Sequence, residues 1–228
     1  MGSTPRTLLR LHIEAVWGVQ LPPITQNTVE LLREGIQPPW KLYAADIAGS
    51  QVTIWRPDVT ASEREALFRR ASEAFTVPPT ERVASHIRRE VVLHQAALPT
   101  MSFATAQHIA RLLTPADQAL VDTFEPGEVE YYFHPDQRPL IGVIVEGRLL
   151  SLAHSSRRTA QACEIGIDTL PEARRKGYAL AATLLWAAEV TQEDLVTFYS
   201  ASAENTASLG LASAAGYRAF ARAMIIEE

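Results

Sequence analysis

One stretch restricts the fold more than any other. A strand-like run over residues 164–170 feeds a basic turn, Arg174-Arg175-Lys176-Gly177, and then a long apolar run. In that run Leu180, Leu184, Ala187 and Ala188 recur at helical spacing and give a helix with a core face. A strand that passes through a short turn into such a helix is the building block of a sheet covered by helices. The turn also has chemistry of its own. The first N–H groups of a helix lack intrahelical acceptors, and the peptide dipoles add about half a positive charge there. Gly177 brings no Cβ, so an anion can approach the backbone, and Arg174, Arg175 and Lys176 add positive charge. The same residues also fit a solvated basic turn, and the turn alone leaves both readings open.

The rest of the C-terminal half has clear punctuation. Residues 108–113 are expected as a strand. Thr114-Pro115-Ala116-Asp117 reads as a helix start, with a Thr cap, Pro in the first turn and an acid close behind, running to about Phe124. Two apolar strands, 139–145 and 148–154, meet at Glu146-Gly147, a tight hairpin signal. Residues 161–170 form the next strand and 195–201 another. A helix opens at Asn205 with core residues Leu209, Ala212 and Ala215, Gly216 fits the position after it, and 217–226 is the last strand.

The N-terminal half reads as a smaller α+β unit. Leu9, Leu11, Ile13, Ala15 and Trp17 alternate with other residues, which predicts a half-buried strand. Residues 40–46 and 51–55 predict a hairpin around Ala48-Gly49-Ser50. Ser62 is the expected cap of a helix carrying Ala66, Leu67, Ala71 and Phe75, ended by Pro78-Pro79. Thr80 is expected to cap a second helix with Val83, Ile87, Val91 and His94 on one face. His86 and His94 then lie two helical turns apart, without i,i+4 spacing or a paired carboxylate, so no metal site is expected.

Several of these segments together resemble the GNAT N-acetyltransferase superfamily. Arg174-x-x-Gly177-x-Ala179 resembles that family's acetyl-CoA pyrophosphate loop, and Glu164-Ile165-Gly166-Ile167-Asp168-Thr169-Leu170-Pro171 resembles the fourth strand before it. Asn205-Thr206-Ala207-Ser208-Leu209 and Ala215-Gly216-Tyr217 follow like its later helix and closing strand. The resemblance covers residues 110–226. It implies an α+β fold with a mixed, mostly antiparallel GNAT-like sheet flanked by helices, preceded by an N-terminal α+β extension. The expected division is 1–105 for the extension, of unknown role, and 106–228 for the acetyltransferase domain. Acetyl-CoA is the implied acyl donor. Its pantetheine arm would meet Ile167, Asp168 and Thr169, and its pyrophosphate the segment Arg174, Arg175, Lys176, Gly177, Tyr178, Ala179 and Leu180. Asn205 and Ser208 would lie near the pantetheine and the 3′-phosphate, although Asn205 is also a good N-cap.

The implied reaction is direct attack of an amine on the thioester. Many family members carry a Tyr seven residues after the Asn and a Glu on the fifth strand; this chain has Ala212 and Ser200. Glu164 is the remaining candidate for the base. Cys163 is read as a small buried strand residue, His154 either as a core-edge residue or as facing the acceptor, and Trp186 as core. The rival readings are a noncatalytic acyl-CoA-binding module of the same fold, and a nucleotide-binding protein of another fold. Missing Walker and Gly-x-Gly-x-x-Gly patterns argue against the second rival.

Composition limits the partners. The 228 residues carry a net charge of −5, which argues against nonspecific nucleic-acid binding. No apolar run approaches the length of a membrane span. Residues 1–10 show no signal-peptide pattern and Cys163 is a single cysteine, so the cytoplasm is the expected location. The expected partner is a small-molecule amine or a peptide or protein amine, with no nucleic acid, no membrane and a homodimer as one option.

Overall fold

In the computed structural model, which describes residues 3–227, Thr4 and Pro5 start the chain on a helix. This helix, α1 (Pro5–Trp17), replaces the strand expected over 9–17. The Thr4 side chain accepts a hydrogen bond from the Thr7 N–H at 3.2 Å, and Pro5 pre-sets the first turn. Gly18, at φ 64°, closes it. Leu8, Leu9, Leu11, His12, Ile13 and Ala15 are all buried. A helix buried on so much of its circumference contains alternating apolar positions by default, and that pattern imitated a strand.

The elements continue in chain order as β1 (Thr28–Glu30), β2 (Leu42–Ile47), β3 (Ser50–Trp55), α2 (Ala61–Thr76) and β4 (Ile87–Gln95). Next come α3 (Phe103–Ile109), β5 (Arg111–Leu112), α4 (Gln118–Phe124), α5 (Val129–Tyr132), β6 (Ile141–Val145), β7 (Arg148–Arg158) and β8 (Ala162–Thr169). The last are α6 (Tyr178–Gln192), β9 (Val196–Ser202), α7 (Thr206–Ala214) and β10 (Tyr217–Ile226). Short 3-10 turns occupy 115–117, 135–137 and 171–173.

Three further local expectations are corrected. The cap of α2 is Thr60, not Ser62: Thr60 and Glu63 form a reciprocal capping box. The helix expected after Thr80 is strand β4, so His94 lies on a strand, His86 precedes it, and the two share no helical face. Arg89, Glu90, Val92 and Leu93 are buried, so β4 buries neighbouring residues on both faces and loses the period-two signal. Of the strand expected over 108–113, only Arg111 and Leu112 are extended in a ladder, because Ser102 caps α3 through Ile109.

The chain forms two compact units, each drawing on both halves of the sequence. The first is Met1–Leu93, Ser200–Leu209 and Ala219–Glu228. Its strands run in the order β1-β3-β2-β10-β4, with β1 parallel to β3 and β2 antiparallel to both β3 and β10. Alternation along β2 and β10 builds two cores. Tyr43, Ala45, Ala223 and Ile225 pack with Leu9 and Ile13 of α1, while Leu42, Ala44, Met224 and Ile226 pack with Leu67, Ala71 and Ala74 of α2.

The second unit is His94–Tyr199 and Gly210–Arg218. Here the order is β9-β8-β7-β6-β5, antiparallel except for the β8–β9 pair. The expected hairpin at Glu146-Gly147 is present, with both residues at positive φ. One side of these strands carries α6, whose buried Trp186 donates Nε1–H to the Ser155 hydroxyl at 3.2 Å. On the other side Val121 of α4 and Tyr132 of α5 pack with Leu113, Leu140, Leu149 and Leu152. The architecture is α+β, a largely antiparallel strand set flanked by helices, as the sequence led us to expect.

Candidate functional site

Strand β8 organises the site. It pairs with β7 along its whole length, from Cys163 opposite Arg158 to Thr169 opposite Ser151. With β9 it pairs only at Ala162, Cys163 and Glu164. From Ile165 onward that edge of β8 pairs with no other strand among the described residues, and is open in that sense. The alternation of an antiparallel ladder says which groups face the opening. The Leu170 N–H donates to the Leu150 carbonyl at 3.0 Å. Stepping by two, Asp168 opposite Leu152 and Gly166 opposite His154 are also hydrogen-bonded pairs with β7. Ile167 and Thr169 therefore turn their N–H and C=O groups to the open edge. Asp168 does not: its backbone belongs to β7, and its side chain leaves on the face that carries His154. Glu164 stands where β8 and β9 part, opposite Arg157 and Phe198, and is 5% exposed.

The strand leads through the 171–173 turn into the N-terminus of α6. Arg175 at φ 61° and Gly177 at φ 80° are both left-handed, and they bracket Lys176. Backbone of this kind gathers N–H groups on one side. Gly177 is the N-cap and supplies no side-chain acceptor, so the amides of Tyr178, Ala179 and Leu180 are unsatisfied within the helix. A Cβ on Gly177 would lie 3.3 Å from Met101 Cε, and its φ disfavours any L side chain. Arg174, Arg175 and Lys176 are exposed, and no ion pair holds them among the described residues. The donor set fits a pyrophosphate: open helix amides, a left-handed glycine and three exposed cations.

Asn205 and Ser208 belong to the other compact unit. The Asn205 side-chain oxygen accepts from the Ser208 N–H at 3.1 Å and so caps α7. Beside it Glu204 accepts from Arg89 Nε at 2.5 Å, and the rest of the buried Arg89 guanidinium is spent on the carbonyls of Val77, Pro78, Pro79 and Glu81. Arg89 thereby fixes the start of α7, a role that nothing in its local sequence announced. Ala212, where the resemblance implies a Tyr, is fully buried. Cys163 is fully buried as well, and burial pushes its thiol up to about 11.

The sequence did not foresee the constellation on the α4–α5 side. His154 of β7 is 4% exposed and lies directly over Gly166 of β8. A Cβ at Gly166 would come within 2.3 Å of His154 Cε1, so the ring is there because residue 166 has no side chain. Tyr131 and Tyr132 meet the imidazole edge-on, with ring centroids 5.6 and 5.1 Å away. The Tyr131 hydroxyl is 3.3 Å from His154 Nε2. Burial lowers the His154 pKa to about 4, so the ring is neutral at neutral pH. Tyr132 donates its hydroxyl to Glu125 at 2.5 Å. Asp168 is exposed, and partial desolvation with the nearby Glu125 charge raises its pKa. A glycine inside an apolar strand run marks a close approach. That was the one signal in the sequence, though it could not say what approaches.

Among the described residues no group of His, Cys, Asp and Glu could hold a metal, and no helix is long and apolar enough to cross a membrane. Residues 137–222 match a family model described as GNAT acetyltransferase. An acetyltransferase of the GNAT family from Colwellia psychrerythraea superposes with a TM-score of 0.54 at 13% identity, covering 82% of this chain and 65% of its own. A GCN5-related N-acetyltransferase from Sphaerobacter thermophilus superposes at 0.50 with 19% identity, covering 76% of this chain and 58% of its own. No curated protein matches the sequence. The family model thus covers β6 to β9 and reaches into β10, and the chain shares its fold with these GNAT acetyltransferase structures.

Proposed function

We propose that the protein is an acetyl-CoA-dependent N-acetyltransferase that passes the acetyl group to an amine by direct attack in a ternary complex. The observation that carries this reading is the course of β8. It leaves β9 at Glu164 and runs on into the open N-terminus of α6. Pantetheine would take the backbone groups of Ile167 and Thr169, and the pyrophosphate the amides from Arg175 to Leu180, with Arg174, Arg175 and Lys176 around it. The Thr169 amide is the candidate donor to the oxygen of the tetrahedral intermediate. An alkylamine has a pKa near 10.4, so the neutral nucleophile costs about 4.6 kcal/mol at pH 7. Glu164, directly or through water, is the candidate to receive that proton. An acyl-cysteine route is disfavoured, because the Cys163 thiol stays protonated well above neutral pH.

A second reading, a noncatalytic acyl-CoA-binding module, draws on Ala212 and Ser200 standing where related enzymes carry Tyr and Glu. Two measurements test both. Thermal unfolding with millimolar acetyl-CoA should show stabilisation, about 2.7 kcal/mol at a hundred times Kd. Gly177→Asp places a side chain and a negative charge in the left-handed cap and should abolish the shift. No shift in the wild type defeats both readings. Amine-dependent release of CoA then separates the transferase from the module.

A further inference from the structure

The turn at Gly177 has a neighbour from outside the matched segment of residues 137–222. A side chain at Gly177 would put its Cβ 3.3 Å from Met101 Cε, so the space that the glycine leaves empty is faced by a methionine methyl group. Apart from the flanking residues, that methyl is the only atom within 4 Å of the position among the described residues. Met101 itself is half-buried. The glycine therefore serves twice: it takes the left-handed φ of 80°, and it lets Met101 approach the start of α6.

Met101 is held there by a strap, residues 96–102. The Ala96 and Ala97 N–H groups donate to the Gly216 carbonyl at 3.1 and 3.0 Å. Thr100 donates its N–H and its hydroxyl to the Ala214 carbonyl at 2.8 and 3.2 Å. Gly216 is part of the fit, because a Cβ there would come within 2.3 Å of the Ala97 carbonyl oxygen. On the other side of Met101, the Ser102 hydroxyl accepts from the Thr105 N–H at 3.1 Å and starts α3, which packs along α6. Pro99 and Phe103 line an apolar pocket with Leu184 and Ala188 of α6. Both chain neighbours of Met101 are thus anchored, and a flexible side chain between two anchored residues keeps its place.

We propose that Met101 and its strap form one wall of the pyrophosphate subsite and set how tightly the anion is held. The inference rests on the proposed binding of acetyl-CoA at the Arg175–Leu180 segment. The amides of Tyr178, Ala179 and Leu180 supply the attraction there, with Arg174, Arg175 and Lys176 around them. The Met101 methyl keeps water from the side where Gly177 has no side chain, and hydrogen bonds shielded from water are stronger. A charge placed at residue 101 would then face the phosphates. An acid there repels them and a base attracts them, whereas a strap that only packs would suffer from both alike.

Calorimetric titration of acetyl-CoA, S-acetylpantetheine and inorganic pyrophosphate into wild type, Met101→Leu, Met101→Lys and Met101→Glu tests the wall. Acetylpantetheine carries the acyl arm without the phosphates, and pyrophosphate carries the phosphates without the arm. Met101→Leu should bind acetyl-CoA as wild type does. Met101→Lys should bind it about three- to tenfold more tightly and Met101→Glu about three- to tenfold more weakly, the effect of one charge near another at a protein surface, and added salt should shrink both changes. Pyrophosphate should follow the same order, while acetylpantetheine binds every variant alike, which also shows that they fold. Equal affinity for acetyl-CoA in all the proteins, losses of one size for Lys and Glu, or acetylpantetheine following the charge order would each overturn the proposal. If pyrophosphate keeps the charge order while acetyl-CoA and acetylpantetheine fail to bind, the transferase reading falls and the wall stands. If none of the three binds the wild type, both fall.

Discussion

The contact between Gly166 and His154 can be tested without any ligand. Gly166 lies in extended backbone, outside the left-handed region, so alanine is allowed there by its φ. Away from contacts, Gly→Ala in such a place stabilises by about 0.4–1 kcal/mol, because the unfolded chain loses freedom. Here the added methyl would sit 2.3 Å from His154 Cε1, 2.6 Å from Nε2 and 2.9 Å from Nδ1. The ring cannot simply swing away, since Tyr131 and Tyr132 hold its other sides. Overpacking of this order costs about 1–3 kcal/mol. In wild type the two effects oppose, and the clash wins by about 1 kcal/mol, or roughly 2–4 °C in Tm for a chain of this size. In a His154→Ala background the clash is gone, and the same substitution should be neutral or stabilising. The coupling between the two positions, read from urea unfolding of the four proteins, should then be about 1–3 kcal/mol. A coupling within about 0.5 kcal/mol of zero, the scatter of independent sites, would refute the claim that the ring depends on the missing side chain.

The remaining predictions concern the α7 cap and the buried imidazole. Asn205→Ala should cost about 1 kcal/mol, because it removes the side-chain acceptor of the Ser208 N–H, and Asn205→Asp should restore most of it; urea midpoints of the three proteins check this. His154 is depressed by burial to about 4 in the folded protein, while an unfolded histidine titrates near 6.5. Between those values the unfolded chain binds the extra proton, so stability present above pH 6.5 should fall as the pH drops towards 4. His154→Phe should flatten that part of the profile, and an unchanged slope would place the imidazole in water.

How much of this was legible depends on how local the signals are. From Thr114 to the end the chain marks its own boundaries. Pro115 and Asp117 start a helical segment, Glu146-Gly147 turns a hairpin, Gly177 opens α6, and Gly216 at φ 90° closes α7. Each is a short-range rule about a few backbone torsions, and each held. The N-terminal half failed where burial overrides period. In α1 six of the residues from Leu8 to Ala15 are buried, and in β4 both faces are covered. Hydrophobic period identifies an element only when one of its faces meets water. The Thr4-Pro5 start signal was nonetheless in the sequence, and a cap read before the period would have chosen the helix.

The cluster around His154 was illegible for a different reason. His154 and Gly166 meet only through the β7–β8 register, and a one-residue slip would put them on opposite faces. Tyr131 and Tyr132 lie on a single helical turn, too short to leave a period. The register also gives the two sets of β8 residues different surroundings. Its odd-numbered residues, Ile167 and Thr169, present backbone to the open edge, where the proposed acyl donor binds. Its even-numbered residues, Gly166 and Asp168, present an absence of side chain and a carboxylate to the face that carries His154. Substitutions at 166 and 168 should therefore leave acetyl-CoA binding intact, while a change at Gly177 should remove it.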